Sequence, residues 1–317
     1  MRVSVFGASG VQGAAQVSAL SLAGHHPVAV SRNPKPTSID GKEIETCAAD
    51  FTDTSGLKRA VKDAEAIFLN LPSTSFQPAD TTIAAAKAVG EAAKGSEKKP
   101  LIVFNTSMPV PDESKGIEAQ DHRREMRTLL REMGLPVISI QPVCFLDNLL
   151  EGWAWPPIRD EQKIVYCHKP TLDVSWIGLD DVAQLMIAAM TRPELAGRNF
   201  QVGGSEIVRL PGLAQRLGKA WGRELGVEFQ TVEDFCEKIE AAMSSRSGID
   251  GAVLSEQMFR AYRWYNDAPE EPFKIDMEPV LKELPAKLST IEEWGRRHRP
   301  DVFNESITGL DSARACV

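Results

Sequence analysis

The sequence predicts an α/β protein whose first part is a doubly wound parallel sheet, followed by a smaller, mostly helical domain. A glycine-rich turn joins an apolar strand to a helix within the first 13 residues. Short apolar strands then alternate with helical segments until about residue 148, as is typical of such sheets. Beyond that point the alternation stops. We therefore expect one domain over residues 1–150 and a second over 151–317, with residues 199–204 returning to the sheet.

The turn has the spacing G-x-x-G-x-x-G and follows an apolar strand over residues 3–6. One glycine lets the chain turn sharply, another lets the backbone approach a pyrophosphate, and another lets helix and strand pack closely. The helix N-terminus then presents free N–H groups to the phosphates. The alternative is a structural turn in some other α/β protein. We interpret the turn as part of a Rossmann dinucleotide-binding domain, with contacts from Gly7, Ser9, Gly10, Val11, Gln12 and Gly13.

The second predicted strand covers residues 27–31, and the residues at its carboxyl end indicate which dinucleotide is bound. An acidic residue there suits the ribose of NAD, whereas an arginine suits the 2′-phosphate of NADP. Residues 31–35 contain no acid, but they do contain Arg32 and Lys35. Arginine can bind a phosphate through paired donors, so the sequence favours NADP(H). The alternative is that both side chains are simply solvated in a loop.

Strands are also predicted over 44–49, 66–72, 101–105 and 137–140. Ligands of open α/β sheets bind at the carboxyl ends of the strands, so residues there are candidate cofactor contacts, although each could be an ordinary strand-end residue. These candidates are Asp50, Phe51, Asn70, Leu71, Pro72, Thr106, Pro142, Val143 and Phe145.

In the second half, Trp153, Trp155 and two prolines predict an irregular segment. Asp180 and Asp181 are predicted to cap a helix. Residues 290–293 fit a capping box that opens the last helix, and the tail after about residue 306 is expected to be poorly ordered. Trp153, Trp155 and Trp176 are candidates for a substrate cleft or for ordinary core.

Composition narrows the class of protein. The 317 residues carry a net charge of −8, so nucleic acid and anionic membranes are not expected as direct partners. The five cysteines form no C-x-x-C pair, which argues against a zinc site or a disulfide framework, and no metal is expected.

Without an apolar run of membrane-spanning length or a signal peptide, a cytoplasmic location is expected. The partner is a small-molecule substrate or a protein, and the oligomeric state stays open.

Six segments share their pattern with one known family: residues 3–13, 31–34, 134–137, 142–150, 258–262 and 288–294. In these segments, which span nearly the whole chain, the sequence resembles the NmrA-like branch of the atypical short-chain dehydrogenases/reductases. The resemblance implies a Rossmann domain that binds NADP(H) and a smaller domain that closes over a substrate cleft. Some members reduce small aromatic or quinone substrates, whereas others are NADP-responsive binding proteins.

Typical enzymes of the wider superfamily use a Tyr-x-x-x-Lys pair and a serine. The serine position is filled by Ser107, but all three tyrosines lie beyond the sixth strand. Reductases of this branch that lack the tyrosine often keep a lysine, and the resemblance places Arg123 there, with His122 beside it. A histidine can donate a proton near neutral pH, whereas an arginine cannot. Ser107, His122 and Arg123 are therefore the catalytic candidates.

Two functions stay open at this point. One is reduction of a small aromatic, quinone or enone substrate by hydride transfer from NADPH. The alternative is a non-catalytic, NADP(H)-sensing regulator that binds a protein partner, as the missing tyrosine suggests. An isomerase on the same scaffold is a third, less favoured possibility, because a fold does not fix a function.

Overall fold

The fold is taken from a computed structural model, which describes residues 1–75, 78–150, 152–243 and 250–303. The strands are β1 (Arg2–Phe6), β2 (His26–Ser31), β3 (Ser38–Ile39), β4 (Lys42–Glu43), β5 (Glu45–Ala48), β6 (Ala66–Asn70), β7 (Leu101–Asn105), β8 (Val137–Pro142), β9 (Cys144–Phe145), β10 (Lys163–Tyr166), β11 (Trp176–Ile177), β12 (Asn199–Val202) and β13 (Gly226–Phe229). The α-helices are α1 (Val11–Leu22), α2 (Thr54–Val61), α3 (Ala79–Lys94), α4 (Glu118–Glu132), α5 (Trp155–Glu161), α6 (Leu179–Met190), α7 (Leu210–Trp221), α8 (Val232–Met243), α9 (Gly251–Asp267), α10 (Met277–Glu283) and α11 (Ile291–Arg297).

A seven-stranded sheet has the order β12-β8-β7-β6-β1-β2-β5, and each of its neighbouring pairs is parallel. The strand order reverses direction between β1 and β6, which is the switch point where ligands bind in such sheets. This arrangement confirms the predicted doubly wound α/β sheet.

The central strands are apolar because helices cover both faces of the sheet. Every residue of β6 and β7 is buried. One hydrophobic core packs β1 and β7 against α1 and α6, and another packs the opposite face against α2, α3 and α4. Two layers of helices therefore hold the carboxyl ends of the strands in fixed positions.

The chain leaves the sheet after β8 and returns to it at β12, which pairs with β8 from Asn199 opposite Ser139 to Val202 opposite Pro142. Between and after these strands the chain builds a third core from residues that lie between Val143 and Phe303. The division into domains at residue 150 stays a prediction.

Two local predictions for the second half are wrong. The segment predicted to be irregular contains α5, whose first turn holds Pro156 and Pro157. Proline is tolerated there because the first N–H groups of a helix have no intrahelical partner. Asp180 and Asp181 do not cap α6, because its N-cap is Gly178 and both carboxylates lie inside the first turn.

The carboxylates of that turn instead bind residues on either side of α11. Asp181 accepts hydrogen bonds from the backbone N–H and the hydroxyl of Ser289, and Asp180 lies 3.1 Å from His298 Nε2. The predicted capping box is confirmed, with Thr290 and Glu293 bonded reciprocally. The predicted loose tail after residue 306 lies outside the described residues.

Candidate nucleotide-binding crevice

The glycine turn follows β1 directly and opens at the switch point. Gly7 has a φ of +74°, a conformation that glycine adopts at little cost. A Cβ placed on Gly13 would lie 2.3 Å from the carbonyl oxygen of Gly7, so this glycine allows α1 to pack on the turn. Two of the three glycines are thus explained by the fold of the chain itself.

Gly10 is different. It is exposed and has a negative φ of −87°, and a Cβ there would meet only the Gly7 carbonyl oxygen, at an ordinary 3.5 Å. The protein itself therefore has room for a side chain at this position. An open position at the N-terminus of a helix fits a ligand that must approach the backbone closely.

The N-terminus of α1 suits an anion. The helix starts without a hydrogen bond from a capping side chain, and its first turn contains no acidic residue. Ser9, Gly10 and Val11 are exposed, with Val11 at 58%. Free N–H groups and the positive end of the helix dipole together form a ready phosphate site.

Behind the turn, four amide side chains tie α1 to the ends of β6 and β7. Asn70 and Gln16 exchange two hydrogen bonds of 2.7 and 2.9 Å. Asn105 donates to Gln12 at 2.6 Å and to Asn70 at 3.0 Å. Asn70 also donates to the carbonyl of Phe6 at the end of β1. This network fixes the floor of the crevice at the switch point.

Gln16 and Asn105 were not among the predicted site residues. The sequence did contain signals for both. Gln16 follows Gln12 by one helical turn and therefore lies on the same face of α1, and Asn105 ends an otherwise apolar strand. What the sequence could not show is that the amides meet, because the contacts join α1 to strand ends far along the chain.

Ser107 lies at the edge of this network. Its hydroxyl donates to Gln12 Oε1 at 3.0 Å, and its backbone N–H donates to Asn105 Oδ1 at 3.0 Å. Its φ of +60° is unusual for a residue with a side chain. The structure thus holds Ser107 half-buried just beyond β7, where the sequence placed it.

The carboxyl ends of β2 and β5 form the other wall. Arg32 and Lys35 are exposed there, and Asp50 and Phe51 are half-buried. Thr52 donates to the Asp50 carboxylate through its N–H and its hydroxyl, and these bonds, helped by the charge of Arg32, lower the pKa of Asp50. The ring of Phe51 stacks on Phe6 at 6.3 Å. A cationic side chain and an aromatic face therefore border one end of the crevice.

Arg123 was predicted to be a catalytic residue, and its side chain lies in the protein core. It is fully buried, and one guanidinium nitrogen donates to the carbonyls of Leu71 and Pro72, both at 2.9 Å. Burial lowers the pKa of Arg123 to about 10. These contacts make it a strut between α4 and the loop after β6 rather than a group open to a ligand. Its neighbour His122 is half-buried, with Nδ1 3.1 Å from the Thr74 hydroxyl.

Several predicted contacts lie in the protein core. The hydroxyl of Thr106 is bonded to the carbonyls of Met108 and Ile140. Pro72 is exposed, whereas Leu71, Pro142, Val143 and Phe145 are buried. Cys144 is also buried, and burial raises the pKa of its thiol to about 12, as expected for an apolar rather than a nucleophilic cysteine. Trp176 is buried in the C-terminal core, and Trp153 and Trp155 pack against that core.

The described ranges contain neither a metal-binding group of side chains nor a membrane-spanning helix. No group of three or more His, Cys, Asp or Glu side chains there could hold a metal ion. In the same ranges no helix combines the length and apolar character that crossing a membrane requires.

Comparison with known proteins gives the family. The model of the NmrA-like family matches residues 1–295. The chain belongs to the NmrA-like family. This confirms the resemblance carried by the sequence segments.

The individual proteins that the chain is similar to share less than a third of its residues. A (4-alkanoyl-5-oxo-2,5-dihydrofuran-3-yl)methyl phosphate reductase of Streptomyces griseus is 28% identical over 229 residues, 71% of this chain and 76% of that protein. The fold is similar to that of an NADPH-dependent quinone oxidoreductase of Escherichia coli solved with NADPH, with a TM-score of 0.72, 18% identity, and coverage of 94% of this chain and 99% of that one. It is also similar to NmrA, a negative transcriptional regulator, with a TM-score of 0.69, 16% identity, and coverage of 96% and 97%.

Proposed function

We propose that this protein binds NADP(H) and reduces a small aromatic, quinone or enone substrate with NADPH. The observation that carries the proposal is the open position at Gly10, at the N-terminus of a helix without a cap or an acidic first turn. That arrangement fits a pyrophosphate better than any contact made within the chain. The Streptomyces griseus relative is named a reductase and the Escherichia coli protein an NADPH-dependent quinone oxidoreductase, and both names support the same conclusion.

The remaining parts of the dinucleotide have fitting neighbours. The exposed Arg32 and Lys35 suit a 2′-phosphate, and the Phe51 ring offers a face for stacking. Ser107 and the amide network of Gln12 and Asn105 lie toward the opposite end of the crevice, at the end of β7. We propose the predicted cofactor set on this basis, with Leu71, Thr106, Val143 and Phe145 supporting the walls from the core.

A reduced nicotinamide supplies the hydride when it is bound. The chain positions the nicotinamide and the substrate and excludes water from between them. Ser107, which two hydrogen bonds hold in place, orients a polar group of the substrate. Arg123 cannot donate the proton, because its guanidinium is engaged by two carbonyls and stays charged. A quinone needs the least help from a protein acid, because its weakly basic reduced oxygen can take its proton from water.

The test is a steady-state assay of the purified protein with NADPH and a panel of quinones and enones, followed by NADPH absorbance. We expect consumption of NADPH that depends on both the protein and the substrate, and slower turnover with NADH. Binding of NADPH without turnover of any compound in the panel would contradict the reductase and leave the alternative below.

The alternative is a non-catalytic regulator that senses NADP(H). It is favoured by one observation, the two hydrogen bonds that hold Arg123 to the loop after β6, at the position where the family resemblance implies a lysine in many reductases that lack the tyrosine. A sensor must bind the oxidised and reduced cofactors differently, or bind a partner differently in their presence. Equal affinity for NADP+ and NADPH in calorimetry, with no partner captured in a cofactor-dependent way, would exclude it.

A further inference from the structure

A row of rings lies between α4, the end of β8 and α9, outside the crevice described above. We call it the ring cluster; it consists of Tyr166, His168, Trp176, Tyr262 and Tyr265, with the amide of Gln120 at one end. His168 contacts Tyr166, Trp176 and Tyr262, with ring centroids 4.4, 5.5 and 6.2 Å apart. Tyr262 meets Tyr265 edge to face at 5.6 Å, and the Tyr265 hydroxyl lies 3.5 Å from Gln120 Nε2.

This cluster contains polar atoms that have no partner. Both ring nitrogens of His168, the indole N–H of Trp176 and the amide oxygen of Gln120 are buried without a hydrogen bond. The three residues are 2%, 1% and 0% exposed. A buried polar group without a partner destabilises the folded state, so these four atoms need an explanation. A molecule with carbonyl oxygens would supply partners for the donors among them, which are the indole N–H of Trp176 and the single N–H of the neutral His168 ring.

The cluster adjoins the carboxyl ends of the strands. The Tyr166 hydroxyl lies 4.0 Å from Cys144 Sγ, and Cys144 begins β9, immediately beyond β8. Gln120 lies in the first turn of α4, the helix that follows Ser107. The rim consists of Trp153, Tyr262 and Tyr265, which are half-buried rather than buried. The cluster therefore has partly exposed rings on one side, and on the other side its Tyr166 lies next to the residue that begins β9.

The polar atoms of the cluster are neutral. Burial lowers the pKa of His168 to about 3, and no charged neighbour acts on it. Within the described residues, the ring and hydrogen-bond contacts of the cluster include no lysine or arginine. An anionic group placed here would lose its hydration without gaining a cation, which is costly. Neutral donors and flat ring faces fit an uncharged, planar molecule with carbonyl oxygens.

We propose that the ring cluster is the substrate subsite and that it selects neutral, flat, conjugated carbonyl compounds over anionic ones. This rests on the proposed reductase function. It also separates this chain from its Streptomyces griseus relative, which is named for a phosphate ester.

Binding is tested without turnover. Calorimetry measures the affinity of ortho-naphthoquinone for the full chain in the presence of NADP+, which cannot reduce it. The variants Trp176→Phe and His168→Phe remove the unpaired nitrogens and keep an aromatic ring at each position. We expect each to weaken quinone binding at least tenfold, with an unchanged affinity for NADP+, which reports that the nucleotide-binding part of the fold is intact.

The matched control is Trp294→Phe, because Trp294 also has a buried indole N–H without a partner, but its ring stacks on His298 rather than on a ring of the cluster. This variant should bind the quinone as the parent does. Unchanged binding in both cluster variants would overturn the subsite, even if the parent turns over quinones. Equal losses in all three variants would overturn it as well.

Selectivity is tested with ortho-naphthoquinone and its monosulfonate. We expect the parent to use the neutral compound with at least a tenfold higher kcat/KM, and to bind it more tightly by a similar factor. Equal use of both compounds would overturn the selectivity. If NADPH is consumed with neither compound, the proposed reductase fails, and the calorimetric comparison of variants still decides whether the subsite exists.

Discussion

Replacement of Gly10 by alanine separates the stability of the glycine turn from its function. The new Cβ would meet only one atom, at 3.5 Å, and the φ of −87° is open to any residue. Alanine reduces the entropy of the unfolded chain, which stabilises by about 0.4–1 kcal/mol. It is also a poorer N-cap than glycine, which costs a similar amount. The free energy of unfolding should therefore change by less than about 1 kcal/mol.

The affinity for NADPH should change much more. In the proposed function, the added methyl group lies where the pyrophosphate approaches the backbone at the exposed N-terminus of α1. A lost hydrogen bond to a charged group costs about 1.5–3 kcal/mol, or roughly ten- to a hundredfold in Kd. The dissociation constant for NADPH should rise by that factor.

Calorimetry with NADPH and urea denaturation of the apoprotein measure the two quantities. Gly13→Ala is the matched control, since its Cβ would lie 2.3 Å from the Gly7 oxygen and should destabilise the fold by about 1–3 kcal/mol. Parent-like NADPH affinity in Gly10→Ala would refute the assignment of the phosphate site.

Three further predictions concern other parts of the chain. Arg32→Glu should abolish the preference for NADP over NAD in thermal-shift titrations, because a carboxylate repels the 2′-phosphate; equal shifts already in the parent would contradict the role of Arg32. Arg123→Met leaves two backbone carbonyls of the loop after β6 without a donor and should lower the free energy of unfolding in urea by about 2–4 kcal/mol. An unchanged denaturation midpoint would contradict the strut. Burial raises the pKa of Asp181 from 3.8 to about 6, so the folded state holds its proton more tightly. The resulting stabilisation is present below the unfolded pKa and is lost as the pH rises through about 6, and Asp181→Asn should remove that part of the pH dependence of unfolding. The same slope in both proteins would exclude this assignment.

The local and periodic features of the sequence were sufficient to predict the parallel sheet. β7 has the bounds predicted from its apolar run and the asparagine that follows it, and the capping box at Thr290 follows from a four-residue pattern. α5 escaped prediction because two prolines in a row look like a loop, although the first helical turn tolerates them.

The candidate site was predictable only in part. The glycine turn and Ser107 could be placed because their neighbours in space are also near in sequence or lie at strand ends. The role of Arg123 could not, because its partners lie on a loop 51 and 52 residues earlier in the chain. The ring cluster joins four separate segments, and no local pattern links Gln120 to Tyr265.

The late return of the chain to the sheet has a consequence for incomplete chains. β8 is buried along its whole length, and its outer edge is paired by β12 alone. During synthesis, that edge is made long before the segment that covers it. A product that ends before residue 199 therefore carries an apolar strand with unsatisfied N–H and C=O groups, which is a template for aggregation.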